Sequence, residues 1–383
     1  MKITEQTNIT NNKDSDLFLR CLWSQFRASF SNYGWCYSGL KYQTNYMLGW
    51  LDLGLISPIE ISFDYKRKGI INNIYISIDE VDATDENIKK IKKCISNSRK
   101  TKKIMTKLAA KGPIFSHYIL PSYSGENFSI KPNESYNEFT FSVTSFDTID
   151  WQQEADMRSY EIINLVSMAL ATPLFRKEEL NVEGKYHLDK EDLDFCLENL
   201  EVIDNFLSKY SYHDKFYENI IEASSLFKDS LKIVLTNKDS ELLYFHRLDG
   251  NRVNIGLEIS IATIISCLEI ISDIESEPIK NCKNCGQPQY KISKRVKDFS
   301  LKHGSELIMS TIREGYKLRS KVLHAGLFLG RNGFLKSPFN PRFDYPSKGG
   351  LVKSMNSIPE VLLINTRIIF MNYLKELNAR NDL

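Results

Sequence analysis

The chain has 383 residues, 42% of them hydrophobic and 26% charged, with 50 Lys and Arg against 48 Asp and Glu. At roughly 100–200 residues per domain, that length holds two or three domains with ample apolar material for a core, and it argues against disorder over most of the chain. A net charge of +2 excludes a uniformly basic, histone-like protein, though not a local basic surface.

The first segment, Met1 to Asp16, is polar and lacks the apolar stretch of a signal peptide. No run approaches about 18 uninterrupted apolar residues, so no membrane span is expected. The seven cysteines are scattered apart from one close pair. Together these features predict a cytoplasmic protein without a disulfide framework.

Ile59 to Tyr65 alternates with period two, and Ile74 to Ile78 does the same after Asn72 and Asn73. Two such runs beside an Asn-Asn turn signal predict a hairpin. Between Thr84 and Ile95 the pattern is helical, with Thr84 or Asp85 as the cap, acids in the first turn and lysines behind them. The basic run continues through Arg99, Lys100, Lys102, Lys103, Lys107 and Lys111. It suits phosphate binding. It equally suits a solvated face balanced by Asp79, Glu80, Asp82 and Glu86, and charge runs favour that second reading. Asn137 to Val143 predicts another strand.

From Asp150 onward the pattern is helical. Ile162, Ile163, Val166, Met168 and Leu170 precede a stop at Pro173, and Arg176 to Asp189 is charged and turn-rich. Leu193 to Leu207, Phe216 to Val234 and Gly256 to Glu275 then recur at helical spacing. The expected architecture is α+β. A β-containing N-terminal domain is expected over 1–180, a helical connection over 181–250, and a helical bundle over 251–383.

Within the last part, Ile308, Ile312, Tyr316 and Leu323 fall three or four residues apart when Arg319 is counted with them. That places a guanidinium on an inward stripe, where it requires an anion: a carboxylate from another helix or a ligand phosphate. His324 follows five residues later, a turn of about 140° on a straight helix. Gly326 is a natural residue just past a helix end, which puts His324 in the last turn. There the helix dipole favours its imidazolium form.

Tyr316, Arg319, Ser320, His324 and Gly326, at these offsets, resemble the Arg-x(4–6)-His signature of HEPN domains. The run is most similar to the Apea-like HEPN subgroup. Upstream, Cys267 to Ile271 resembles that family's acidic position followed by apolar residues, and Tyr290 to Arg295 resembles the start of its next helix. The resemblance spans residues 256–373, roughly a third of the chain.

The resemblance implies a helical bundle that dimerises, with two Arg/His pairs around one cleft. It also implies a metal-independent endoribonuclease of toxin–antitoxin, anti-phage or abortive-infection systems, with an antitoxin or defence-system partner. In that chemistry His324 transfers protons, an effect worth about 10²–10⁴ in rate. Arg319 stabilises the phosphorane-like transition state, Ser320 orients the phosphate, Glu269 holds Arg319 in position before substrate arrives, and Tyr316 is a further accessory residue. Lys317 and Lys321 attract RNA phosphates, and the products are a 2′,3′-cyclic phosphate and a 5′-hydroxyl. The competing structural reading is an Arg319–Glu269 bridge with His324 capping carbonyls. Chemistry alone favours that bridge, and the family pattern reverses the preference. A catalytically silent RNA- or nucleotide-binding or assembly module is the other functional class.

Cys282 and Cys285, followed by Gly286, look like one knuckle of a structural zinc site. Completion requires Cys267, His303, His246 or a partner chain. Free thiols in a turn and a redox dithiol are the other readings. His117, His187 and His213 stand alone, and no Walker loop, dinucleotide fingerprint, His-Glu-x-x-His or Gly-x-Ser-x-Gly motif is present.

Overall fold

A computed structural model describes residues 1–42, 45–67, 69–116, 120–134, 136–176, 190–211, 214, 216–236, 244–246, 252–275, 292–325, 343–344, 350–351 and 358–380. The elements run β1 (Lys2–Gln6), α1 (Asn12–Ser29), β2 (Gly34–Tyr42), β3 (Asn45–Asp52), β4 (Ile59–Arg67), β5 (Ile70–Ser77), α2 (Asp85–Ser98) and α3 (Thr101–Ile104). Next come β6 (Thr106–Ile114), β7 (Tyr123–Ser124), β8 (Phe128–Pro132), β9 (Asn137–Ser145), α4 (Thr148–Leu170), α5 (Lys190–Lys209) and α6 (Tyr217–Thr236). The remainder is β10 (Tyr244–His246), β11 (Arg252–Asn254), α7 (Ile255–Ile274), α8 (Ile292–His303), α9 (Glu306–Ala325), β12 (Phe343–Asp344), β13 (Gly350–Leu351) and α10 (Ile358–Ala379). The α+β class is as expected, with strands early and helices late. No helix among the described residues is long and apolar enough to cross a membrane.

Packing divides the chain into two compact units. The first holds 1–110 and 142–158, and the second holds 111–141 and 159–383. This differs from the expected division at 180, a position that lies outside the described residues. The reason is that segment 111–141 leaves the first unit and docks by its β7–β8 turn: the Asp204 carboxylate on α5 accepts the Glu126 and Asn127 backbone N–H groups at 2.8 and 2.9 Å.

In the first unit a five-stranded sheet, ordered β1-β5-β4-β3-β2, carries its core on one face. Ile59 and Ile61 of β4 and Ile74 and Ile76 of β5 point to the same side by their period of two. Phe18, Leu22 and Phe26 of α1, four apart, and Ile91 and Ile95 of α2 complete that core. Thr84 caps α2, its hydroxyl accepting from the Asn87 N–H.

The β4–β5 hairpin forms, but its turn is not at Asn72 and Asn73. Gly69, at φ +82°, makes the reversal, and Asn73 lies inside β5 opposite Asp64. The Asp64 carboxylate accepts the Asn73 backbone N–H at 2.8 Å and the Tyr75 hydroxyl at 2.8 Å, which consumes the turn-forming asparagine in the ladder. In β3 a bulge falls at Gly49, φ +136°, where any Cβ collides with the Cys36 carbonyl oxygen.

Three of the described charges in α2 and the basic run after it are paired. Arg99 donates to Glu5 at 2.9 Å, Lys90 meets Glu86 at 2.7 Å and Lys111 meets Glu138 at 2.6 Å. Asp82 has a different task, accepting the Ile56 and Ser57 N–H groups.

In the second unit, α6 and α7 pack against each other, and α8, α9 and α10 complete a bundle with α5. The C-terminal ends of α5, α7, α8 and α10 converge on one charged network. His303 is buried, its ring nitrogens 3.5 Å from Glu275 and 3.5 Å from Glu376. Lys302 bridges the same two carboxylates at 2.9 and 3.0 Å, and Arg380 bonds both. Asn372 donates to the His303 carbonyl at 2.8 Å, and Lys209 reaches the last carbonyls of α10.

Burial lowers the His303 pKa from 6.5, and the two carboxylates offset this only in part. Burial works to raise Glu275, but hydrogen bonds from Lys302, Arg380 and His303 outweigh it, so its carboxyl lies below 4.5. Glu376 is also lowered, first by Arg380. All three groups are therefore depressed in the folded chain. Each stabilises the fold above its unfolded value and loses that contribution as pH falls towards its folded value. The melting temperature is expected to fall on acidification in two stages, from about pH 6.5 through His303 and again below about pH 4.5 through the glutamates. Thermal melts from pH 7.5 to 4 check this: His303→Gln removes the first stage, and an unchanged profile in that variant assigns the loss elsewhere.

Candidate active site

Three helices of the second unit build the site. Helix α9 enters the bundle on Ile312, fully buried, and on Gly315, where a Cβ falls 2.7 Å from a Leu362 methyl of α10 and 3.2 Å from an Ile265 methyl of α7. That close approach brings the next turn of α9 against α7. Arg319 follows Gly315 by four residues and lies on the same face, half-buried, as the stripe requires.

Its partner is Glu269. The guanidinium Nη1 and Nη2 donate to the two carboxylate oxygens, each at 2.9 Å, with side chains 19% and 17% exposed. This is the end-on bidentate pairing that arginine favours. Tyr316, one turn earlier, lies with its ring centroid 5.8 Å from the Arg319 guanidinium carbon, close enough to Glu269 to feel its charge. Burial and then the Glu269 charge push the Tyr316 hydroxyl above its ordinary range, so it is a protonated donor at neutral pH. The Nε of Arg319 is buried and has no hydrogen-bond partner among the described residues. Glu269 thus uses one edge of the guanidinium and leaves the Nε edge for another acceptor.

Arg319, Glu269 and Tyr316 come together. Ser320 is half-buried on α9 beside Arg319. Lys317 is exposed and paired with Glu314 at 3.0 Å. The backbone of α9 continues through Lys321 and His324 to Ala325, so His324 is in the last turn as expected, while the side chains of both residues lie outside the description. Cys282 and Cys285 lie outside the described residues, as do His117, His187 and His213.

Two suggested completers of a zinc site are committed elsewhere. Cys267 is fully buried in α7, where burial drives its thiol strongly upward, and His303 is enclosed by Glu275 and Glu376. Among the described residues no group of three or more His, Cys, Asp or Glu is arranged to hold a metal ion.

A second pair next to Glu269 is not apparent from the sequence. Asp273, four residues on, bonds Arg295 of α8. The i, i+4 spacing of the two acids is the signal, but the arginines come from separate helices and spacing does not assign partners. In comparisons with known proteins, the chain matches no protein-family model, no curated protein and no solved structure.

Proposed function

We propose that the chain is a metal-independent endoribonuclease of the HEPN type, acting in the cytoplasm in anti-phage defence or as a toxin. Arg319 holds the scissile phosphate through its Nε edge while Glu269 and Tyr316 fix the guanidinium from behind. His324, five residues on along α9 and about 7.5 Å further along its axis, transfers protons at the 2′-hydroxyl or the leaving 5′-oxygen. The products are a 2′,3′-cyclic phosphate and a 5′-hydroxyl.

The observation that carries this reading is the half-buried Arg319 guanidinium, clamped by Glu269 at its Nη end, with no acceptor for its Nε among the described residues. An unfilled buried donor is costly, and a guanidinium clamped on one edge and unfilled on the other is preset for an anion. A second copy of the chain supplies the other Arg/His pair. The stripe Val361, Ile364 and Ile368 supports such a homodimer, because it stays exposed while Leu362, Ile369, Phe370 and Tyr373 fill the bundle. Cleavage of single-stranded RNA by the full chain in chelator, lost in His324→Ala, tests the proposal.

One observation favours the silent binding or assembly module instead. The Glu269–Arg319 pair is complete without any ligand, as a structural bridge is. On that reading RNA binds and stays intact.

A further inference from the structure

The first unit holds a cavity of about 390 Å³ between the β1–α1 connection on one side and the α2–α3 joint on the other. That volume is in the range of small-molecule sites. Ile9 and Phe18 give the cavity an apolar lining, and Asn8, Asp14 and Lys100 bring polar groups to it.

Both walls are held before any ligand arrives. Thr7 donates its N–H to the Asn72 carbonyl at 2.9 Å and its hydroxyl to the Ile71 carbonyl at 2.6 Å. Asn8, at φ +61°, then turns the chain towards α1, in a left-handed conformation that asparagine adopts more readily than most residues. Asn11 caps α1, its side-chain oxygen accepting the Asp14 N–H at 2.9 Å. On the other side the Lys100 N–H reaches the Asn97 carbonyl at 2.8 Å, and Arg99 is tied to β1 through Glu5 at 2.9 Å and the Gln6 carbonyl. A preformed site loses little free energy to ordering when it binds.

Two charges in the cavity are left unmatched. Glu5 balances Arg99, but Lys100 meets no acid among the described residues. The Asp14 side chain accepts from the Asn11 amide at 2.7 Å and meets no cation among the described residues. An ammonium and a carboxylate that line one cavity without pairing suit a ligand that carries the complementary groups: an anion for Lys100 and N–H donors for Asp14. A mononucleotide has both within a molecule of this size. Among the common bases, guanine presents its N1–H and 2-amino donors side by side, as one carboxylate accepts them.

We propose that this cavity binds a guanine mononucleotide, with the phosphate at Lys100, the guanine donors at Asp14 and the base against Ile9. The site lies wholly within the first unit and does not depend on the ribonuclease reading.

The test is calorimetric titration of the full chain with guanosine 5′-monophosphate, adenosine 5′-monophosphate and inorganic phosphate as separate probes. The guanine nucleotide is expected to bind at about 10–100 μM, and the other two at least about tenfold more weakly. Lys100→Ala should weaken guanine-nucleotide binding about tenfold, as loss of one charge-assisted contact does. Lys100 is exposed, so its truncation leaves the fold intact. Asp14→Asn should weaken the guanine nucleotide by a similar factor and leave the adenine nucleotide unchanged, because an amide offers one acceptor oxygen where the carboxylate has two. Arg319→Ala, in the other unit, should bind as the wild type does.

Binding of the guanine nucleotide weaker than about 1 mM overturns the proposal. So does an adenine nucleotide or free phosphate that binds as tightly, or guanine-nucleotide binding that survives both Lys100→Ala and Asp14→Asn unchanged. Loss of binding in Arg319→Ala places the ligand in the second unit and also overturns it. RNA cleavage is measured separately, so neither reading decides the other.

Discussion

Arg319→Ala is expected to lower the rate of RNA cleavage by about 10²–10³, the usual cost of removing one preorganised donor from a developing oxyanion. The loss should appear in kcat, because the phosphorane carries more charge on its non-bridging oxygens than the ground-state phosphate does. Arg319→Lys should recover little, since an ammonium cannot span Glu269 on one edge and a phosphate on the other. Glu269→Gln keeps a hydrogen-bonding partner and should lose less than Glu269→Ala, which leaves a half-buried guanidinium unheld. Far-ultraviolet circular dichroism of each variant separates lost chemistry from lost fold. Full activity in a folded Arg319→Ala variant reduces the Arg319–Glu269 pair to a bridge.

The largest expected effect on stability lies in the first unit. Asp150, 4% exposed, accepts from Arg20 Nε and Nη2, both at 3.0 Å, and from the Phe146 N–H at 3.0 Å. Arg20 keeps Glu154 at 3.1 Å when Asp150 is removed, so the full penalty for a stranded charge is softened. Asp150→Ala is expected to cost about 3 kcal/mol, a large share of the 5–15 kcal/mol typical of a domain. All four tryptophans, Trp23, Trp35, Trp50 and Trp151, belong to this unit, so tryptophan fluorescence in urea follows it alone. A clearly lower midpoint at unchanged slope is the predicted result. A shift within 0.5 kcal/mol, the ordinary range for surface substitutions, contradicts it.

Much of the fold is legible where one periodicity has one face to fill. The alternation of Ile59 to Tyr65 and of Asn137 to Val143 and the helical spacing from Leu193 onward all appear as β4, β9 and the helices of the second unit. The signal fails where a residue has two uses. Asn73 looks like a turn former and is held in β5 by Asp64. Strand β2 hides its alternation behind a register shift between Tyr37 and Leu40. In helix α10, Val361, Ile364, Ile368 and Met371 share one helical spacing, and only packing separates the first three, which are exposed, from Met371, which is buried.

The site divides the same way. A charged residue on an inward stripe is a strong signal, and it leads from Arg319 to Glu269. The charges of Asp273 and Arg295 fit any solvated surface in sequence, and their pairing depends on how α7 and α8 meet. Domain limits are the least legible feature. Excursion 111–141 belongs with the later helices through a contact with Asp204, which no local pattern announces.

The proposed function has Arg319 and His324 cut RNA without a metal. Its most direct measurement incubates the wild-type chain and His324→Ala with end-labelled single-stranded RNA in excess chelator and identifies the new termini. The wild type is expected to leave 2′,3′-cyclic phosphate and 5′-hydroxyl ends, with cleavage down by about 10²–10⁴ in His324→Ala. Equal cleavage by both proteins, or 5′-phosphate ends that appear only when magnesium is restored, contradicts it.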